Sequence, residues 1–292
     1  MSTLLRQGLG GRVEPLSDLL IDQVVRAALT EDLGRAGDIT SQACVDPQAR
    51  LEVQFAVRQP GVIAGLDCAR LALAAMDPQI RFSAQRRDGD RVEAGEALAQ
   101  AEGNARAILA AERTALNLMG RLSGVATLTR AYVDEIGGAK AKIVDTRKTT
   151  PGLRSLEKYA VRCGGGVNHR FGLDDAILIK DNHVAAAGGV GRALERARAA
   201  AGHLVQIEVE VDSLEQLDEA LAHAPDVIML DNFSLADMAE AVRRTAGRVR
   251  LEASGGVNLE TVRAIAETGV DVISVGALTH SAPVLDIGLD TL

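Results

Sequence analysis

Nine basic and four acidic side chains fall between Lys140 and Lys180, in a chain of 292 residues whose net charge is −8. All five lysines of the protein (140, 142, 148, 158 and 180) lie in this window, interleaved with Gly, Thr and His in DTRKTTPGLRSLEKYAVRCGGGVNHR, 145–170. Cations packed together repel by roughly 4 kcal/mol per close pair at an effective dielectric near 20. A solvated basic face is the plain reading of a charge run. Here the cluster makes better sense if an anionic ligand completes it. Arg147, Arg154 and Arg170 offer planar guanidinium groups, which take carboxylates in bidentate fashion. Several together fit a small substrate with more than one carboxylate. Lys148 and Lys180 also raise a Schiff-base reading, as in aldolases, but that chemistry needs a lysine of depressed pKa in a less crowded field of charge.

Acids and glycines complete the set. Glu208 and Glu210 alternate in QIEVEV (206–211), so both project to one face of a strand. Asp231 closes the next strand. A buried acid is costly unless paired or bound to metal. For Glu208, an ion pair with Lys180 or Arg170 is explanation enough. Glu210 and Asp231 fit Mg²⁺, which takes one or two carboxylates and fills its shell with substrate oxygens and water. Two glycine loops follow, SGGVN (254–258) and VGALTH (275–280). Tight turns alone use glycine, but two loops after adjacent final strands match the phosphate position of barrel enzymes, with backbone amides at a helix start as donors.

The elements that must carry these residues are legible in outline. Residues 15–34 read as a capped helix opening at Pro15 and Ser17, and LEVQFAV (51–57) as a half-buried strand. Residues 88–103 resemble the turn-rich hairpin of biotinyl or lipoyl domains, without the modified lysine. NARAILAAERTALNLMGRL (104–122) reads as a helix with apolar positions 108, 111, 115, 116, 119 and 122 on one stripe. Arg106, Arg113, Asn117 and Arg121 lie opposite. From about residue 123 the pattern becomes strand–loop–helix, with strand cores at 141–145, 176–180, 206–211, 226–230, 249–254 and 271–276. Ser213 with Gln216 fits a capping box and Asn258 an N-cap. Short apolar strands alternating with helices mean a parallel sheet. Thr146, Lys180, Glu210, Asp231, Ser254 and Gly276 all fall at or just after strand ends, which converge on one mouth in a barrel. A closed or nearly closed barrel is the expected form.

Composition narrows the class. Three widely spaced cysteines without a CxxC argue against a disulfide framework or zinc site and fit the cytoplasm. The N-terminus lacks the pattern of a signal peptide, and no run reads as a transmembrane helix. No Trp and two Tyr leave little to stack on bases, which argues against nucleic acid. These residues describe a barrel enzyme that joins a polycarboxylate to a phosphosugar with Mg²⁺.

AERTALNLMGRLSGVAT, DTRKTTPGLRSLEKYAVRCGGGVNHR, ILIKDNH, EVEVDS, IMLDN, EASGGV and VGALTHSAPVLD, in that order, closely resemble the quinolinate phosphoribosyltransferase family. The resemblance runs from EDLGRAGDITS (31–41) to the C-terminus. It implies an N-terminal open α/β sandwich (1–122) and a C-terminal irregular seven-stranded α/β barrel (123–292), with a tail that can return to the N-terminal domain. Six strand cores are visible, so the seventh lies in GGGVNHR or in a segment without a clear strand pattern. The resemblance further implies a homodimer in which Arg113 is donated across the interface. Quinolinate would sit against Arg113, Arg147, His169, Arg170 and Lys180, beside Thr146, with Lys148 and Lys180 also facing the diphosphate and sugar of phosphoribosyl pyrophosphate (PRPP). Glu210 and Asp231 match the acids that hold ribose hydroxyls and Mg²⁺. Ser254, Gly255 and Gly256, with Val275, Gly276, Ala277 and His280, match the 5-phosphate site. Lys148, Lys180, Glu210 and Asp231 are the implied catalytic residues. Three other readings compete: a phosphoribosyltransferase-like protein of another substrate, a Schiff-base lyase and a non-catalytic phosphosugar-binding protein. Retention of Arg147–Lys148 and of Asn168–His169–Arg170 favours the quinolinate enzyme over the first.

Overall fold

Alternation decides the first sheet. In Arg50–Val57 (β1), Val53, Phe55 and Val57 are buried, as a strand with one covered face requires. The computed structural model describes residues 13–292. Gly61–Val62 (β2), Arg81–Ala84 (β3), Arg91–Val92 (β4) and Ala97–Asn104 (β5) follow. β1 pairs antiparallel with β5, and β5 with β3. β4 pairs with β2 instead, so residues 88–103 do not fold into the single hairpin expected of them. The turn between β4 and β5 docks on β1: Gly95 N–H donates to Val57 O (2.8 Å) and Val57 N–H to Glu96 O (3.1 Å). These contacts send the two strands into separate sheets.

Helix Asp18–Leu33 is capped by Ser17, whose Oγ accepts the Leu19 N–H (3.3 Å), and buries Ile21, Val25 and Leu29. The helix that begins at Ala105 buries the predicted stripe, Ile108, Ala111, Ala115, Leu116, Met119 and Leu122. It continues to Glu135, well past the expected end at 122. The Ser-Gly pair at 123–124 reads locally as a stop. In the fold Gly124 is the point of closest approach, where a Cβ would collide with the carbonyl oxygen of Pro283. Gly120 O accepts the Leu285 N–H (3.0 Å) just below. The tail then adds a strand, Ile287–Thr291, antiparallel to β1.

Helix Arg154–Cys163 belongs with this sheet. Its Glu157, fully buried, takes the Arg121 guanidinium (2.8 Å) and the Thr150 hydroxyl (2.7 Å). Tyr159 OH donates to Asp88 (2.8 Å), and the Arg162 guanidinium lies over the Tyr159 ring at 5.4 Å. Arg162, a member of the basic run, is therefore structural. One compact unit gathers the described residues up to Arg130, Thr149–Gly165 and Ser281–Leu292; the other holds Ala131–Lys148 and Gly166–His280.

The second unit is a parallel sheet of Lys142–Val144 (β6), Ile177–Ile179 (β7), Ile207–Val211 (β8), Val227–Asp231 (β9), Arg250–Ser254 (β10) and Val272–Ser274 (β11), while the tail strand Ile287–Thr291 (β12) belongs to the first unit. The spatial order is β6-β11-β10-β9-β8-β7, so the first strand lies beside the last, as a curled sheet demands. Val167 bridges Val144 in parallel on the free side of β6. GGGVNHR thus supplies the seventh stave. Intervening helices bury Leu194, Leu217, Met238 and Val262. Ser213 Oγ accepts the Gln216 N–H (3.4 Å), while Gln216 Oε1 takes the Asp212 N–H (3.2 Å), close to the expected box. Asn258 caps a turn (Glu260 N–H, 2.9 Å) ahead of a shorter helix, Val262–Glu267. Among the described residues, no helix is long and apolar enough to cross a membrane.

Candidate active site

Six parallel strands carry their C-terminal ends to one edge, and polar residues collect there. Thr146 follows β6, Lys180 follows β7, Glu210 precedes the last residue of β8, Asp231 and Ser254 end β9 and β10, and Gly276 follows β11. Register sets Asp231 directly beside Ser254.

Buried acids place the cations. Asp145, fully buried just beyond β6, accepts the Asn168 side-chain N–H (2.6 Å) and the His169 backbone N–H (2.9 Å). His169 Nε2 lies 3.0 Å from Glu208 Oε2 and 3.6 Å from Glu252 Oε1. His169 Nδ1 accepts the backbone N–H of Arg170 (2.8 Å). Arg170 Nη1 donates to Ala176 O (3.1 Å), while its buried Nε has no hydrogen-bond partner among the described residues. Burial, and then the nearby Arg147 guanidinium, draw Arg170 below the usual guanidinium range; Glu208 opposes this. Glu208 was expected to pair with Lys180 or Arg170. Its close partner is His169, and Lys180 Nζ instead donates to Glu210 Oε2 (3.3 Å).

The glycine loops are shaped by close contact. Gly255 has φ 91°, a left-handed backbone that favours glycine, and a Cβ there would strike the Asn232 side-chain oxygen. Asn232, itself at φ 55°, donates its N–H to Ser254 O (3.0 Å) and its amide to Asp231 Oδ2 (2.9 Å). The turn after β10 is thereby tied to the end of β9. A Cβ on Gly276 would sit 3.2 Å from both Lys148 Cδ and His280 Nε2, and Thr279 Oγ1 donates to Lys148 O (2.8 Å). Lys148, Gly276 and His280 are neighbours, with Ala277 opening the short helix Ala277–His280 and Val275 buried behind.

The second unit therefore holds every site candidate except Arg113. That residue lies in the first unit, exposed on helix Ala105–Glu135. Arg106 and Arg121, on the same side of that helix, are engaged with Val45 O (2.7 Å) and Glu157 respectively. Arg154, grouped with Arg147 and Arg170 from the sequence, donates to Thr149 within the first unit (3.0 Å). His183, left without a role by the sequence, accepts the Lys180 N–H on Nδ1 (2.9 Å), and Cys163 is buried. Asp145, Asn168, Asn232 and Glu252 were not foreseen. An acid between Leu251 and Ala253 in the strand core VRLEAS was the available signal for Glu252.

Glu210 and Asp231, both half-buried at neighbouring strand ends, form the hard-oxygen donor set that suits Mg²⁺. His169, Glu208 and Glu252 also place three ligand atoms within 4.8 Å. That triad closes on itself, since an Nδ1 that accepts the Arg170 N–H leaves Nε2 carrying the ring proton toward Glu208.

Burial, then the Glu208 carboxylate, push the Glu252 carboxyl up to about 8 from its ordinary 4.5. Between those values the folded protein keeps a proton that the unfolded chain releases. The stability this group contributes is thus fully present below pH 4.5 and lost as pH rises through 8. Glu252→Gln, which cannot ionise, is expected to lose less thermal stability than the parent between pH 5 and pH 8. Parallel melting-temperature profiles for the two proteins would remove Glu252 as the source.

Two family models match the chain: "Quinolinate phosphoribosyl transferase, N-terminal domain" over residues 38–123 and the corresponding C-terminal domain over 125–290. The chain is 52% identical over 283 residues to a nicotinate-nucleotide pyrophosphorylase (carboxylating) of Mycobacterium leprae, covering 94% of this chain and 99% of that one. It is 45% identical to a probable enzyme of the same name in Bacillus subtilis, covering 94% of each. The solved nicotinate-nucleotide pyrophosphorylase of Francisella tularensis superposes with TM-score 0.92 at 40% identity, over 97% of this chain and 100% of that one.

Proposed function

This chain belongs to the quinolinate phosphoribosyltransferase family, and from that premise we propose that the strand-end edge of its second unit is the active site. The protein transfers the phosphoribosyl group of PRPP to quinolinate with decarboxylation, giving nicotinate mononucleotide, pyrophosphate and CO₂ in NAD biosynthesis. The observation that carries the site assignment is the pair of arginines. Arg147 and Arg170 lie close enough for one to depress the other, and the buried Arg170 Nε has no hydrogen-bond partner among the described residues. A dicarboxylate would offset the mutual repulsion of the two guanidinium groups.

In this reading Arg147, Arg170 and Lys180 hold the quinolinate carboxylates, with His169 behind them and Thr146 alongside. Lys148, beside Gly276 and His280, faces the diphosphate and the sugar. Ser254, Gly255 and Gly256, with Val275, Gly276, Ala277 and His280, take the 5-phosphate on backbone amides and the imidazole. Loss of pyrophosphate leaves an oxocarbenium-like sugar, which Glu210 or Asp231 stabilises through its negative charge, and the pyridine nitrogen attacks it. Once quaternised, the ring nitrogen stabilises the electron pair left at C2 by departing CO₂, and a proton from solvent then takes that carbon, while the surrounding cations chiefly position the ring. Glu210 and Asp231 would hold Mg²⁺, which supplies charge neutralisation for the leaving pyrophosphate. We further propose a cytoplasmic homodimer in which Arg113 reaches the quinolinate of the partner subunit.

The test is an incubation of the purified protein with quinolinate, PRPP and Mg²⁺, following CO₂ and nicotinate mononucleotide together. Equal release of both, absent without Mg²⁺ or with nicotinate in place of quinolinate, is expected. PRPP binding without product would move the acceptor to another molecule, and a borohydride-trapped lysine adduct with a keto-phosphate would favour a Schiff-base lyase.

A further inference from the structure

His169 is expected, from the family resemblance, to touch quinolinate. The contacts of its ring point elsewhere. A neutral imidazole has one donor nitrogen and one acceptor nitrogen. Nδ1 faces the N–H of Arg170 at 2.8 Å, so it must be the acceptor; an imidazolium would set two donors against each other there. The proton then lies on Nε2, 3.0 Å from Glu208 Oε2. Both nitrogens are spent inside the protein, and neither is free for a substrate carboxylate.

The chain of contacts continues to residues that do face the site. Glu208 is buried on β8, and its charge acts on the Arg170 guanidinium against the repulsion of Arg147. The backbone of the same two residues is gripped at both ends, the His169 N–H by Asp145 (2.9 Å) and the Arg170 N–H by the imidazole. Glu252 on β10 stands 3.6 Å behind the ring.

We propose that Glu208 is a positioning residue for the quinolinate-binding Arg170: its carboxylate holds His169 as the Nε2–H tautomer, and Nδ1 in turn fixes the Arg170 backbone. This rests on the assignment of Arg170 to quinolinate made above. Ligand-orienting hydrogen bonds of this kind, one shell behind the contact residue, set ring tautomer and direction. The nearly isosteric Glu208→Gln removes the charge and lets an amide N–H meet Nε2, so the ring proton is free to move to Nδ1, where it would expel the Arg170 N–H.

The test joins two readouts. Nitrogen-15 spectra of histidine-labelled protein, with His169 identified by its loss in His169→Asn, should show an unprotonated Nδ1 and a protonated Nε2 in the parent. In Glu208→Gln that signature should be lost. The same variant should raise the quinolinate KM about tenfold, the effect of one charged hydrogen bond, with the PRPP KM and melting temperature near parent values. A protonated Nδ1 in the parent would overturn the proposal. So would an unchanged quinolinate KM in a folded Glu208→Gln protein, or equal increases in both KM values. If the parent made no nicotinate mononucleotide at all, the functional reading would fall instead, and the ring spectra alone would uphold or reject the tautomer lock.

Discussion

Arg170→Ala is expected to raise the quinolinate KM by about one to two orders of magnitude or to abolish turnover, while PRPP still binds. A hydrogen bond to a charged group is worth roughly 1.5–3 kcal/mol, and each 1.4 kcal/mol is tenfold. Arg170 is well placed to lose that amount. Its guanidinium is held by Ala176 O at one end, its Nε is buried without a partner among the described residues, and the neighbouring Arg147 makes its charge costly until an anion arrives. Lysine should not substitute well, since an ammonium cannot reproduce the planar fork. Initial rates at varied quinolinate, with PRPP binding measured by calorimetry, decide the matter. Intact quinolinate binding in the alanine variant would displace the dicarboxylate from this end of the site.

Two dead proteins should make a live one. Arg113→Ala and Lys148→Ala are each expected to be inactive alone, and mixing them under subunit exchange should restore roughly a quarter of parental activity. Random exchange makes half of the dimers hybrids, and each hybrid keeps one intact site of two if every site draws residues from both chains of a symmetric pair. The basis is the contrast along helix Ala105–Glu135. Arg106 and Arg121 spend their charge on Val45 O and Glu157, whereas Arg113 stays exposed on the same side. No recovery despite demonstrated exchange would place Arg113 in the site of its own chain.

The second unit was largely readable because its strands are short, carry apolar residues and end in polar ones, with Glu208 and Glu252 as acids inside them. Lys180, Glu210, Asp231 and Ser254 stand where an apolar run stops, and that contrast survives without any knowledge of pairing. GGGVNHR hid its strand, since three glycines and a single bridge at Val167 offer no apolar period to detect. Glu252 was hidden for the opposite reason. It lies inside a strand of mixed character, Arg250–Ser254, and only the approach of His169 and Glu208 from other elements gives it meaning. The basic window misled in part, because charge density does not distinguish Arg170, whose Nε has no hydrogen-bond partner among the described residues, from Arg162, which lies over Tyr159. The helix at 105–135 was cut short because Ser123 and Gly124 look like a stop until the Pro283 backbone is brought against them.

The tail strand bears on how such a chain comes into being. β12 lies along β1, with Val53 opposite Thr291 and Val57 opposite Ile287. During synthesis β1 emerges early, and its partner only after the whole of the second unit has followed. Until then one side of β1 presents bare N–H and C=O groups, the kind of edge that invites pairing with another chain. Order of manufacture thus runs against order of completion: the part made first is finished last. The two units are also interleaved along the chain, through Thr149–Gly165 and Ser281–Leu292. No single cut along the chain separates them.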